Sequence, residues 1–246
     1  MNEPEWNDYL NQFKDLPSTY FQNISINTNK FCVIVEPRKH AKLISVIKNF
    51  MFLLQNKGWG LIVFHGTEND SFIKDELKDW NNVIYESLGV NNLTIDMYNH
   101  LLCSSTFWSK LIYHGCEHSL IFQVDTVLLK DHIDQFIEYD YIGAPWFIKF
   151  LNCLTVGNGG LSLRNCKTML NITQIYSVSK HPINEDIYFS YWLLQTPNMN
   201  IPTMDVAKRF SVETIYSEDT CGMHQPHLDK FPSRKAFADL LSIRYV

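Results

Sequence analysis

Residues 120–129, Leu120-Ile121-Phe122-Gln123-Val124-Asp125-Thr126-Val127-Leu128-Leu129, form an apolar run that carries a single carboxylate. A short run of large and β-branched apolar residues predicts a buried strand. Because a charged side chain is costly inside a sheet, we expect Asp125 to lie where the strand ends. Ligands of open α/β sheets bind beyond the carboxyl ends of the strands, so Asp125 is a candidate site residue. An acid that only caps the following turn is the alternative interpretation.

Strand-like and helix-like stretches alternate before this run. Apolar runs predict strands at residues 31–36, 61–64 and 82–86. Apolar residues at helical spacing predict helices at residues 43–54, 71–78, 94–103 and 106–114. Such alternation is typical of a parallel sheet covered by helices, which predicts an α/β fold.

The composition narrows the class of protein. An apolar share of 46% excludes a disordered chain, and a net charge of -5 disfavours nucleic acid as a partner. The sequence shows no signal peptide and no apolar run of about 18 residues, so we expect no transmembrane segment. The six cysteines are scattered without C-x-x-C pairs, which favours reduced packing residues. We therefore expect a cytoplasmic protein, in the host cytoplasm if it is viral, whose oligomeric state stays open.

Two stretches in the second half, residues 139–146 and 156–164, are rich in glycine. They read Tyr-Asp-Tyr-Ile-Gly-Ala-Pro-Trp and Val-Gly-Asn-Gly-Gly-Leu-Ser-Leu-Arg. Glycines permit a close approach of the backbone to a ligand, so both stretches are predicted to be loops at a binding site. A tight turn that leads into a strand explains the glycines equally well.

Two neighbouring acids, Glu185 and Asp186, precede an aromatic-rich helical stretch. Asn184 is placed to cap that helix, and the helix dipole favours acids in its first turn. This structural role explains why one of the two acids is present. A carboxylate at a binding edge can take a proton from an attacking hydroxyl, so we interpret one of the two as a general base.

Near the C-terminus, His224 and His227 lie in a loop with glycine and proline. Neutral imidazole is the commonest metal ligand in proteins. A surface histidine is the simpler interpretation of either residue alone. The combination with Asp125 makes His224 a candidate metal ligand.

Four blocks occur together in this order: residues 122–126, Phe-Gln-Val-Asp-Thr; residues 139–146; residues 157–164; and residues 184–186, Asn-Glu-Asp. In this combination the sequence resembles an uncharacterised glycosyltransferase-like domain family with bacterial, eukaryotic and giant-virus members, which is related to the GT-A glycosyltransferases. The resemblance spans about residues 31–227, almost the whole chain.

The resemblance implies a GT-A-like single domain at residues 31–246, with a mixed, mostly parallel central sheet flanked by helices. An N-terminal extension or helix at residues 1–30 would precede it. The nucleotide would bind in the half at about residues 31–130, and the acceptor in the half at about residues 131–230.

The implied activity is transfer of a sugar from a nucleotide-sugar donor to a hydroxyl of a glycan, protein or lipid-linked acceptor. GT-A enzymes usually hold a divalent metal on an Asp-x-Asp motif, whose place is taken here by Gln123-Val124-Asp125. Asp125 and His224 are then the expected ligands of Mn²⁺ or Mg²⁺. Asp186 is the expected base and Glu185 the second choice, in a direct displacement that inverts the sugar configuration.

The remaining site residues follow from strand tips and from the glycine-rich blocks. For the nucleotide we predict Val35, Glu36, Arg38, His65, Gln123, Asp125 and Thr126, with His40, Asn99 and Lys110 as further candidates. For the donor sugar and acceptor we predict Trp146, Asn158, Gly159 and Gly160, because a tryptophan face stacks well on a sugar ring.

Two other functions remain open at this stage. A nucleotidyltransferase also uses metal-held carboxylates, but a basic or glycine-rich triphosphate loop is not evident in the sequence. A catalytically inactive glycan-binding or assembly module of the same fold would explain why glutamine replaces the first acid of the metal motif.

Overall fold

The computed structural model describes residues 3–147, 154–176 and 184–245. The strands are β1 Lys30–Glu36, β2 Gly60–His65, β3 Val83–Ser87, β4 His118–Phe122, β5 Thr126–Leu128, β6 Tyr141–Gly143, β7 Leu161–Asn165, β8 Ser211–Val212 and β9 Gly222–His224. The helices are α1 Pro4–Lys14, α2 Leu43–Leu54, α3 Asp70–Glu76, α4 Ile95–Leu102, α5 Ser105–Tyr113, α6 Cys166–Ile175, α7 Glu185–Gln195, α8 Met204–Phe210 and α9 Arg234–Leu240. The strands and helices predicted between residues 31 and 114 are all present, with ends that differ by one or two residues.

The central sheet has the strand order β3-β2-β1-β4-β7-β6. Its first four strands are parallel, with Ile34 opposite Phe122 and Glu36 opposite His65. Strand β7 runs antiparallel to both of its neighbours. Residues of β1 and β2 are buried on both faces because helices cover the sheet. The predicted α/β fold with a mixed, mostly parallel sheet is confirmed.

The two glycine-rich stretches are only partly loops. Tyr141–Gly143 and Leu161–Asn165 are strands that pair with each other, and the prediction of two loops is wrong for these residues. The buried side chains of Ile142 and Leu163 explain the difference, since they fill the core next to β4. The glycines lie at the strand ends, as in the alternative interpretation.

A second, three-stranded sheet has the order β5-β9-β8. The chain leaves β4 at Gln123, and the carbonyl of that residue accepts hydrogen bonds from the amide and hydroxyl groups of Thr126. This turn redirects the chain into β5, which pairs with β9 so that Thr126 lies opposite His224. The turn between the two sheets therefore carries Asp125 out of the core, as predicted, and next to the C-terminal segment.

The N-terminal helix packs on the body of the protein. The apolar face of α1 is buried, and the hydroxyl of Tyr9 donates to the carbonyl of Leu128 at 2.5 Å. Arg234 of α9 forms ion pairs with Glu3 and Glu5, so the two ends of the chain meet.

Among the described residues, no helix is both long enough and apolar enough to cross a membrane. Five cysteines are described, and all are free and buried, in agreement with packing residues. Cys153 lies outside the described residues.

Candidate functional site

A cavity of about 450 Å³ opens at the carboxyl ends of β1 and β4. Its described walls come from residues 35–38 at the end of β1, 92–95, 98 and 99 around the start of α4, 123–125 after β4, 158–160 before β7, 184–186 at the start of α7, and 224–225 at the end of β9. Six segments that are distant in sequence thus meet at the edge where α/β sheets bind ligands.

Asp125 and His224 face each other in this cavity. Pairing of β5 with β9 sets the Oδ1 atom of Asp125 3.6 Å from the Nε2 atom of His224. The Oδ2 atom of Asp125 accepts a hydrogen bond from the side-chain amide of Gln225. Oδ1 of Asp125 and both ring nitrogens of His224 are buried without a hydrogen bond from the described residues.

These atoms fit a divalent cation with two protein ligands. Carboxylate oxygen and imidazole nitrogen suit Mn²⁺ or Mg²⁺, and Mg²⁺ sites are often completed by substrate phosphates and water. No group of three or more His, Cys, Asp or Glu side chains that could hold a metal occurs within residues 3–147, 154–176 and 184–245. The described residues therefore fit a shared protein and substrate site, and not an all-protein cage.

Two consecutive glycines make room for the side chains at the cavity floor. A Cβ atom on Gly160 would overlap the imidazole of His224, and one on Gly159 would overlap the carboxylate of Glu185. The sequence predicted that these glycines and Asn158 line the site, and all three line the cavity. The sequence analysis did not predict that the two glycines leave space for the side chains of Glu185 and His224.

A buried ion pair between Arg164 and Glu185 lies behind the glycines. Nη1 and Nη2 of Arg164 donate to the two carboxylate oxygens at 2.6 and 2.9 Å, and Nε donates to the hydroxyl of Ser162 at 2.9 Å. The guanidinium also lies over the ring of Tyr141, with its carbon 4.7 Å from the centroid. Burial is the largest influence on the pKa of Arg164 and lowers it, but the charge and hydrogen bonds of Glu185 together with the side chains of Tyr141 and Tyr98 outweigh burial and raise the pKa.

This pair was missed by the sequence analysis, although a charged residue at the end of an apolar strand was a usable signal. It also corrects the second choice of base. Both oxygens of Glu185 accept hydrogen bonds from the buried guanidinium of Arg164, so this carboxylate is already engaged and is poorly placed to receive an acceptor hydroxyl. Glu185 lines the cavity in a structural role.

Asp186 is the acid that remains available as a base. Its Oδ1 atom accepts from the amide of Ile187 at 2.7 Å, and Oδ2 accepts from the amide of Gly159 at 3.4 Å. Burial, reinforced by the charge of Glu185, raises the pKa of Asp186 to about 6. Such a carboxylate is ionised at neutral pH and basic enough to accept a proton.

The N-terminus of α7 is capped from another helix. The amide of Glu185 donates to the side-chain oxygen of Asn99 on α4 at 3.1 Å. The side chain of Asn184 makes no capping hydrogen bond, so the predicted cap is wrong. Asn99 was predicted near the nucleotide, and it lines the cavity while it fixes the helix that carries Asp186.

The tip of β1 forms another wall of the cavity. Glu36 is buried, and its two oxygens accept from Nε and Nη2 of Arg38, both at 2.7 Å. The side-chain amide of Asn69 donates to the backbone carbonyls of both residues. Val35, Glu36 and Arg38 line the cavity, as do Gln123 and Asp125.

Several predicted residues lie elsewhere. Thr126 is fully buried and its hydroxyl is used in the turn at Gln123. Trp146 is buried and is not among the described residues that line the cavity, so the prediction that it stacks on the sugar is not supported. Burial explains the presence of this tryptophan, because a tryptophan side chain suits a hydrophobic core as well as a sugar-binding site.

The tip of β2 leads to a different cavity of about 360 Å³. His65 lines it, with Nε2 3.3 Å from Oδ1 of Asp70. Lys110 pairs with Glu86 at 2.7 Å. The described residues that line the main cavity do not include His65, His40 or Lys110, although the sequence analysis expected all three near the nucleotide.

Comparison with solved structures shows the fold. A glycosyltransferase involved in the glycosylation of the major capsid of PBCV-1 is similar, with a TM-score of 0.50 and 11% identity, over 85% of this chain and 97% of that chain. HddC from Yersinia pseudotuberculosis is similar with a TM-score of 0.40 and 13% identity, over 64% of this chain and 84% of that chain. The fold is thus glycosyltransferase-like. No curated protein matches the sequence.

Residues 82–225, more than half of the chain, match the family described as "Protein of unknown function (DUF5672)". This segment contains Asp125, Asp186 and His224, which line the cavity. The chain belongs to this family.

Proposed function

We propose that the protein transfers a sugar from a nucleotide-sugar donor to a hydroxyl acceptor, with a divalent metal as cofactor. The observation that carries this proposal is the meeting of Asp186 with Asp125 and His224 in one cavity at the strand tips. Asp186 is suited to remove a proton from the acceptor, and Asp125 and His224 are suited to hold the cation that would neutralise charge on the leaving group. The fold shared with a solved glycosyltransferase supports the proposal.

The charge of the cavity supports a role for metal. Its described walls carry four carboxylates, those of Glu36, Asp125, Glu185 and Asp186, but a single arginine, Arg38, and no lysine. Arg38 is bound to Glu36, and the buried Arg164 behind the walls is bound to Glu185, so the carboxylates of Asp125 and Asp186 are the ones that no arginine among the described residues neutralises by an ion pair. A diphosphate would be repelled by such walls, so we expect the donor to bind together with a divalent cation. An imidazole ligand favours Mn²⁺ over Mg²⁺.

In the proposed reaction Asp186 takes the proton of the acceptor hydroxyl as its oxygen attacks the anomeric carbon. The bond from that carbon to the diphosphate breaks, and the nucleoside diphosphate leaves with the electron pair. The bound metal would offset the charge that develops on the leaving group. Attack opposite to the leaving group inverts the configuration of the sugar.

The test is turnover of a panel of UDP-, GDP-, dTDP- and CMP-sugars with Mn²⁺, in the wild type and in Asp186→Asn. We expect Asp186→Asn to lower kcat by about 10²- to 10⁴-fold while donor binding persists. In the wild type, kcat/KM should rise with pH up to about 6 and then level, because the base must be ionised. This rise should be absent from the residual activity of the variant.

Asp205→Asn is the matched control, because Asp205 is likewise the second residue of a helix but is exposed. It should leave turnover unchanged. Binding of a donor or glycan without turnover in the wild type would contradict the transferase and favour the inactive binding module.

A further inference from the structure

The imidazole of His224 lies between two carboxylates. Its Nε2 atom faces Asp125 at 3.6 Å, and its Nδ1 atom faces Oε1 of Glu213 at 3.5 Å. The ring packs against Gly160, where a Cβ would overlap its atoms. Since the side chain of His224 is only 9% exposed, its surroundings restrict how the ring can turn.

Glu213 is buried behind the site. It directly follows β8, its side chain is 11% exposed, and it is not among the described residues that line the cavity. Its backbone carbonyl accepts from the amide of His227 at 2.8 Å, which ties it to the segment that follows His224. Within the described chain, the ion-pair partner of its carboxylate is His224.

We propose that Glu213 is a positioning residue that orients His224 for a divalent cation. A carboxylate that accepts the Nδ1 proton of a histidine leaves the Nε2 lone pair directed away from it, here towards Asp125. The 3.5 Å separation exceeds the usual hydrogen-bond limit by about 0.3 Å, so a small movement of the ring completes the contact. The inference rests on the metal-dependent function proposed above.

Asp125 is oriented in an analogous way. Gln225 donates to its Oδ2 atom, and the backbone amide of Gln225 donates to the carbonyl of Asp125 at 3.2 Å. This leaves Oδ1 to face Nε2 of His224. Each of the two expected ligands thus has one atom turned to a neighbouring side chain and one atom turned to the other ligand.

The experiment is a double-substitution cycle read by Mn²⁺ binding. Mn²⁺ is titrated, alone and together with UDP or GDP, into wild type, Glu213→Gln, His224→Ala and the double variant, and the loss of the free Mn²⁺ electron paramagnetic resonance signal relative to the same mixture without protein gives Kd. We expect Glu213→Gln to weaken Mn²⁺ binding by about 10- to 100-fold. In the His224→Ala background the same change should have no further effect, because Glu213 acts through the ring.

Glu218→Gln, an exposed acid on the same segment, is the matched control and should leave Kd unchanged. Thermal unfolding identifies a variant that is not folded. If Glu213→Gln is not folded, Glu213→Asp replaces it, and it should also weaken Mn²⁺ binding because the shorter side chain draws the carboxylate away from Nδ1 of His224. Equal Kd values for wild type and Glu213→Gln would overturn the positioning role while the proposed function stands. An equal loss in both backgrounds would also overturn it. Absence of Mn²⁺ binding in wild type would remove the metal from both proposals.

Discussion

Two arginine–carboxylate pairs contribute to the walls of the same cavity, one through Glu36 and Arg38 and the other through Glu185, and they differ in burial. Arg164 and Glu185 are 0% and 5% exposed at the side chain, whereas Arg38 is 54% exposed beside its buried partner Glu36. Both pairs have two short hydrogen bonds, so their geometry does not distinguish them. Burial decides how much each pair matters, because water can replace a partner only at the exposed one.

The buried pair gives the largest expected effect. Arg164→Met would leave Glu185 as an unpaired buried charge, and we expect a loss of about 3–5 kcal/mol in the free energy of unfolding. Urea unfolding measures this loss. The double variant Arg164→Met with Glu185→Leu removes both charges and should recover much of the stability. A double variant as unstable as the single one would show that packing around Arg164, and not its charge, is decisive.

Gly159→Ala tests the same wall without removing either charge. The added Cβ would displace the carboxylate of Glu185 from Arg164, and we expect a loss of about 1–3 kcal/mol, as for overpacked cores. The φ angle of Gly159 is not in the left-handed region, so backbone strain does not contribute. In a Glu185→Ala background the substitution should cost much less. If Gly159→Ala lowered the free energy of unfolding equally in wild type and in Glu185→Ala, the added Cβ atom would clash with a group other than the Glu185 carboxylate.

The two walls also differ in how far the sequence predicted them. The wall at Glu36 and Arg38 follows a β-branched strand, and Asp125 interrupts an apolar run, so local patterns sufficed for both. The partner of Glu185 lies 21 residues away, on a strand that the glycines concealed. A local pattern does not reveal which distant strand faces a helix.

The same limit explains the other differences. Asn99 caps a helix 86 residues further along the chain, and Glu213 faces a ring presented by a different strand. His65 is the last residue of β2, the strand next to β1, yet its side chain turns to Asp70 and a separate cavity. Residue types indicated which side chains are candidates for a site, whereas the packing of loops and helices decided which of those side chains meet.

The exposed pair gives the smallest expected effect. Arg38→Met should lower the free energy of unfolding by about 1 kcal/mol, less than Arg164→Met, because Arg38 is itself half exposed, so that water can take its place beside the buried carboxylate of Glu36, and because the backbone amide of Arg38 still donates to Glu36 at 2.9 Å. Lys39→Met, an exposed neighbour outside the described lining, is the control for loss of one positive charge. Urea unfolding of the three proteins measures the difference. A loss at Arg38 as large as that at Arg164 would mean that the Glu36 pair is closed to water, and burial would no longer separate the two walls.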